Sequence, residues 1–150
     1  MYKKYDEIIS KCSVDDPETK NYWYEVGCND AIEILNNFDK KDWQDLMNNL
    51  PSKSNEWKAC MLYSLCNPND VNQLDALLAV IETDDYDLFT MIINVLNARD
   101  FQVSNAIKIK LMEKIYKYLE DVPSYDRDLF IEYYNKIVED LNPTNNIRNR

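Results

Sequence analysis

Carboxylates crowd one stretch of this sequence, and no basic side chain lies among them. Between Lys58 and Arg99 the chain has no lysine or arginine. The acids in that interval are Asp70, Asp75, Glu82, Asp84, Asp85 and Asp87. Carboxylates at this density suit three roles: acid–base catalysis, stabilisation of helix starts, or recognition of a positively charged partner.

Catalysis is the role that the composition disfavours. The 150-residue chain has no histidine and one glycine, Gly27, which removes the commonest general base and glycine-rich phosphate loops. A carboxylate hydrolase needs two inward-facing acids in a cleft, and the sequence identifies no such pair. We therefore expect no enzyme, no cofactor and no metal site.

Four cysteines, Cys12, Cys28, Cys60 and Cys66, lie mostly among helical apolar residues, and none forms a C-x-x-C pair. This pattern predicts buried, reduced thiols that act as small hydrophobic residues. The chain also shows no apolar run of membrane-spanning length and no secretory start, so the predicted location is the cytoplasm.

Apolar residues at helical spacing, broken at prolines, predict an all-α fold of about eight helices in a single domain over residues 1–141, with a frayed tail at 142–150. The first helix covers 2–12. A long second helix begins at Pro17 after the cap Asp16 and passes through Gly27, with Tyr24 facing inward and Trp23 off that face, against the first helix. The remaining helices are predicted to begin at Asp39, Ser54, Asn69, Asp84, Ser104 and Ser124.

The caps from Asp39 to Asp84 recur every 15 residues. Residues 39–66, 69–98 and 104–141 thus form three helical hairpins, which favours antiparallel hairpins stacked as a short HEAT-like α-solenoid. A compact helical bundle would show the same apolar pattern and is the alternative.

The net charge of −10 lies in the first two thirds of the chain, since residues 101–150 carry eight acidic and eight basic groups. Acids at helix starts favour the helix dipole and acids at the surface favour solubility, which explains part of this excess. Neither effect explains why no lysine lies near the acids of residues 70–87. An acidic surface would repel nucleic acid and anionic membrane and attract a basic protein. The predicted partner-binding residues are Glu82, Asp84, Asp85, an exposed Tyr86 and Asp87, followed by Asp42, Asp45, Asp70 and Asp75.

Two runs within residues 29–99 carry a resemblance: DAIEILNNFDKKDWQDLMNNLPSKSNEWKACMLYSL and LDALLAVIETDDYDLFTMIINVL. With their Asp42-Trp43 and Trp57-Lys58 pairs and an acidic turn at residues 84–87, they resemble HEAT-like immunity proteins of bacterial polymorphic-toxin and contact-dependent growth inhibition systems. The resemblance covers about half of the chain. It implies a cytoplasmic protein that binds one cognate toxin domain, often a basic nuclease, and blocks its active site or substrate groove.

The sequence therefore predicts an immunity protein that forms a 1:1 heterodimer with a basic toxin. The alternative is a helical-repeat adaptor that binds a peptide or helix of another protein in an apolar groove, with little dependence on salt.

Overall fold

The computed structural model describes residues 1–12 and 17–142, and these residues form helices and loops without a strand, which confirms the all-α prediction. None of the helices it describes is long and apolar enough to cross a membrane. The elements are α1 (Tyr2–Cys12), α2 (Pro17–Tyr22), a π-helical turn (Trp23–Gly27), α3 (Cys28–Asn36), α4 (Lys40–Asn49), a 3-10 turn (Leu50–Ser52), α5 (Asn55–Ser64), α6 (Val71–Leu78), α7 (Tyr86–Arg99), α8 (Asn105–Tyr118) and α9 (Ser124–Leu141). The predicted cap Asp16 and the predicted tail, apart from Asn142, fall outside the described residues.

The chain divides into two compact units, Met1–Asp100 and Phe101–Arg150. In the N-terminal unit α1 packs against α3, α4 and α5, and α5 also packs against α3 and α7. In the C-terminal unit α8 packs against α9, as the predicted third hairpin requires. The single domain and the HEAT-like stacking stay predictions.

Side-chain caps begin most helices, and two of the predicted caps are wrong by one residue. The α6 cap is Asp70, not Asn69, because the carboxylate of Asp70 accepts a hydrogen bond from Asn72 N at 2.9 Å. The α7 cap is Asp85, not Asp84. In both cases two neighbouring residues have side chains that can cap a helix, so residue type alone does not decide between them. The cap is the residue whose backbone is extended, as it is at Asp70 and Asp85. Three predicted caps are confirmed: Asp39, Ser54 and Ser104.

Three further predicted positions need correction. Helical spacing in the sequence predicts that Val71 faces inward, but it is 68 % exposed because it is the first residue of α6, whose buried face is formed by Gln73, Ala76 and Leu77. In α9 helical spacing predicts that Tyr134 faces inward, but the buried tyrosine is Tyr133. Ser124 is the first helical residue of α9, and the cap position is occupied by Pro123 without a side-chain hydrogen bond.

Helix α1 is held in the N-terminal unit by buried polar contacts as well as by packing. The Tyr5 hydroxyl lies 2.6 Å from Ser64 Oγ in the core, and Asp6 accepts hydrogen bonds from Trp57 Nε1 at 2.8 Å and Lys53 Nζ at 2.6 Å. The Tyr5 ring also meets the Trp57 ring edge-on, with centroids 6.2 Å apart. Helical spacing in the sequence predicts that Trp43 and Trp57 face the core, and both are buried.

The prediction of four reduced cysteines is wrong for two of them. Cys12 at the end of α1 forms a disulfide with Cys60 on α5, 48 residues away in sequence. Cys28 and Cys66 are free, and burial raises the pKa of the Cys28 thiol. Sequence spacing did not reveal the pair because the two cysteines meet only through packing of α1 on α5. Disulfides persist in oxidising compartments, whereas the cytoplasm keeps thiols reduced, so the cytoplasmic location stays a prediction.

Replacing the disulfide by alanines at Cys12 and Cys60 should lower the free energy of unfolding by about 2–4 kcal/mol, because a closed loop of this length restricts the unfolded chain. Urea denaturation with and without dithiothreitol measures the effect. Reductant should destabilise the natural sequence and leave the Cys12→Ala/Cys60→Ala variant unchanged. The matched control, Cys28→Ser/Cys66→Ser, should keep its sensitivity to reductant; loss of that sensitivity would contradict the pairing.

Candidate partner-binding surface

The acidic interval contributes four exposed carboxylates to the surface of the N-terminal unit. Asp75 on α6, Glu82 and Asp84 in the connection to α7, and Asp87 in the first turn of α7 are all exposed. No lysine or arginine occurs in the chain between Lys58 and Arg99. Arg99 itself donates from Nη1 to the carbonyl oxygen of Leu65 at 2.7 Å.

The other predicted residues of this interval are tied to helix starts. Asp85 accepts a hydrogen bond from Leu88 N at 2.8 Å and is half-buried, as is the α6 cap Asp70. Tyr86, predicted to be exposed, is also half-buried because it is the first residue of α7 and not a residue of the preceding loop. Asp70 and Asp85 therefore cap α6 and α7, and Tyr86 begins α7.

Asp42 does not belong to this exposed set. It is 7 % exposed, and its Oδ1 accepts hydrogen bonds from the Met1 ammonium at 2.7 Å and from Tyr2 N at 2.8 Å. Its Oδ2 accepts from Asp39 N at 3.2 Å, which completes a capping box. The hydrogen bond from the Met1 ammonium lowers the pKa of Asp42 below its usual value. Asp42 therefore fastens α4 to the start of α1, and Asp45 lies half-buried on the same helix.

An aromatic groove that the sequence did not predict begins at the π-helical turn. Cys28 N donates to Trp23 O, an i→i+5 hydrogen bond that inserts one residue into the helix and shifts the side chains before it around the axis. As a result Trp23 is buried and Tyr24, predicted to face inward, is 64 % exposed. Gly27 fits this turn because a Cβ there would lie 3.1 Å from Tyr22 Cε1 and 3.2 Å from Trp23 Cε3.

The groove has a volume of about 530 Å³ and lies between the π-helical turn, α5 and α7. The Tyr24 and Tyr63 rings meet edge-on across it, with centroids 5.9 Å apart. On α5 the lining positions follow helical spacing, i, i+3, i+4 and i+7, so they share one face of the helix. The lining residues are Cys12, Lys20, Trp23, Tyr24, Glu56, Ala59, Cys60, Tyr63, Asp87 and Met91.

A second cavity of about 200 Å³ continues along α7 from this groove, and the two share Tyr63 and Met91. Together they follow the outer side of α7 from Asp87 to Ala98 and Arg99. Of the predicted site residues, the structure brings only Asp87 into the groove. The other lining residues were not predicted. Those on α5 did leave a signal in the sequence, because Glu56, Cys60 and Tyr63 recur at i, i+4 and i+7 on a face of the helix separate from its buried face.

The pH dependence of stability should reflect Asp42. Because folding lowers its pKa, the contribution of Asp42 is present above the unfolded value near 4 and is lost as the pH falls through the lower folded value. At pH 7, Asp42→Asn should cost about 1–3 kcal/mol of unfolding free energy, and this cost should shrink below pH 4. Urea denaturation from pH 7 to pH 3 measures it. Asp45→Asn on the same helix is the control; an equal loss in both variants would refute this role.

Comparison of the chain with protein-family models, with curated proteins and with solved structures gives no match.

Proposed function

We propose that this chain is an immunity protein that binds a basic toxin domain through the acidic surface of its N-terminal unit. The observation that carries the proposal is the set of exposed carboxylates at Asp75, Glu82, Asp84 and Asp87, in an interval without any lysine or arginine. A negative surface of this kind accelerates association with a positive partner and rejects nucleic acid.

Inhibition in this proposal is occlusion. Carboxylates of the immunity protein occupy the positions at which lysines and arginines of a nuclease bind phosphates, so substrate cannot enter. Charge pairs at an interface need not add much net affinity, because both partners lose hydration. The exposed aromatic side chain of Tyr24 supports a further, apolar contribution.

The second candidate is an adaptor that binds an apolar peptide or helix of another protein. The groove at Tyr24, Tyr63 and Met91 favours it, since aromatic and aliphatic walls suit an amphipathic helix. Binding of that kind would depend little on salt.

A charge-reversal experiment separates the two candidates. The variant Asp75→Lys/Glu82→Lys/Asp84→Lys changes exposed acids that are neither helix caps nor groove residues. The proposal predicts that a reading frame next to this gene encodes a small basic toxin domain. That domain is the probe, with growth rescue and surface plasmon resonance as readouts, and the absence of such a frame would count against the proposal. The association rate at low salt should fall about tenfold or more, and rescue of growth should be lost.

The control variant, Glu113→Lys/Asp128→Lys/Glu139→Lys, makes the same change in net charge at exposed acids of α8 and α9. It should retain most of the association rate if the local surface matters. Equal slowing in both variants would show that net charge, and not this surface, sets the association rate, and an unchanged rate in the first variant would show that its acids take no part. Either result would overturn the proposal.

A further inference from the structure

The groove at the π-helical turn combines two features that together define a ligand. Its walls are aromatic and aliphatic, from Tyr24, Tyr63 and Met91, while the exposed carboxylates of Glu56 and Asp87 lie at its edge. A ligand with both apolar surface and positive charge would cover these walls and pair with the carboxylates, whereas an apolar ligand could make only the first of these contacts. The lining therefore favours an occupant that carries positive charge as well as apolar surface.

We infer that this groove binds an arginine side chain of a basic protein partner, with the guanidinium on the Tyr24 ring and paired with Asp87 or Glu56. The inference rests on the proposed function for the nature of the partner and adds the place and the side chain of contact. A guanidinium is planar, stacks on aromatic rings and donates two parallel hydrogen bonds to one carboxylate.

The geometry of the tyrosines suits such a cation. Their rings lie at 75° to each other, an edge-to-face contact in which one ring covers at most one face of the other. The exposure of Tyr24 leaves its ring accessible to a ligand. The volume of about 530 Å³ holds more than one side chain, so residues next to the arginine would pack along α7 on Met91.

Lys20 is the basic residue of the groove lining and limits the negative potential there. Removing its charge should therefore strengthen the binding of a cationic ligand, whereas the same change would not strengthen the binding of an apolar one. This opposite response distinguishes a charge-recognising site from a hydrophobic groove.

The experiment titrates a blocked heptapeptide with two arginines and two leucines into the full chain, followed by NMR of backbone amides and indole N–H groups. A peptide with citrulline in place of arginine has the same shape without the charge, and a third peptide carries lysine. The arginine peptide should bind more tightly than both, and the shifts should include the Trp23 indole.

Variants then locate the site. Tyr24→Ala should lower the affinity for the arginine peptide about fivefold, and Asp87→Asn should lower it about tenfold. Lys20→Met should raise that affinity about threefold. Tyr116→Ala, a change at an equally exposed tyrosine of the C-terminal unit, should have no effect. Circular dichroism of each variant confirms that the helices persist.

Equal affinity for the arginine and citrulline peptides would overturn the inference in favour of an apolar occupant. Chemical shifts of the groove residues that change with protein concentration in the absence of peptide would indicate that a second copy of the chain occupies the groove. That result would also overturn the inference. If the basic domain binds and responds to Asp75, Glu82 and Asp84 but not to Tyr24 or Asp87, the groove inference fails and the proposed function stands. If the arginine peptide binds in the groove but no basic domain associates with the chain, the groove inference stands and the proposed function fails.

Discussion

Helix α1 is fastened at both ends, and the surface of the N-terminal unit depends on that attachment. At its start the Asp42 carboxylate holds the Met1 ammonium and Tyr2 N, and at its end Cys12 is bonded to Cys60. Because α1 packs on α3, α4 and α5, these contacts set the relative positions of three helices. The disulfide cysteines line the aromatic groove directly, so the same constraint that stabilises the fold shapes the candidate site.

The π-helical turn is the local feature that makes the groove aromatic. One inserted residue places Trp23 in the core and leaves Tyr24 at the surface, where its ring meets Tyr63. The neighbouring Gly27 leaves room for the side chains of Tyr22 and Trp23. Because π-helical turns commonly occur at functional sites, an exposed aromatic ring at this turn supports recognition and not only packing.

Local sequence rules predicted the helices well because caps and prolines act within one turn of the chain. Asp39, Ser54 and Ser104 begin helices as predicted, and the buried Trp43 and Trp57 follow helical spacing. The remaining features depend on contacts between distant helices. Neither the Cys12–Cys60 bond nor the burial of Asp42 follows from spacing, and an α-helical period cannot anticipate an i→i+5 turn. The acidic interval was visible in the sequence, whereas the groove next to Asp87 was not.

The proposed recognition requires a positive ligand to bind the N-terminal unit at its acidic, aromatic surface. The most direct measurement is a map of the backbone amides that shift when the arginine peptide is added to the full chain at low salt. We expect the shifts to cluster at residues 20–27, 56–63 and 84–91 and to fade at high salt. Shifts confined to residues 101–142, or a pattern that salt does not change, would contradict it.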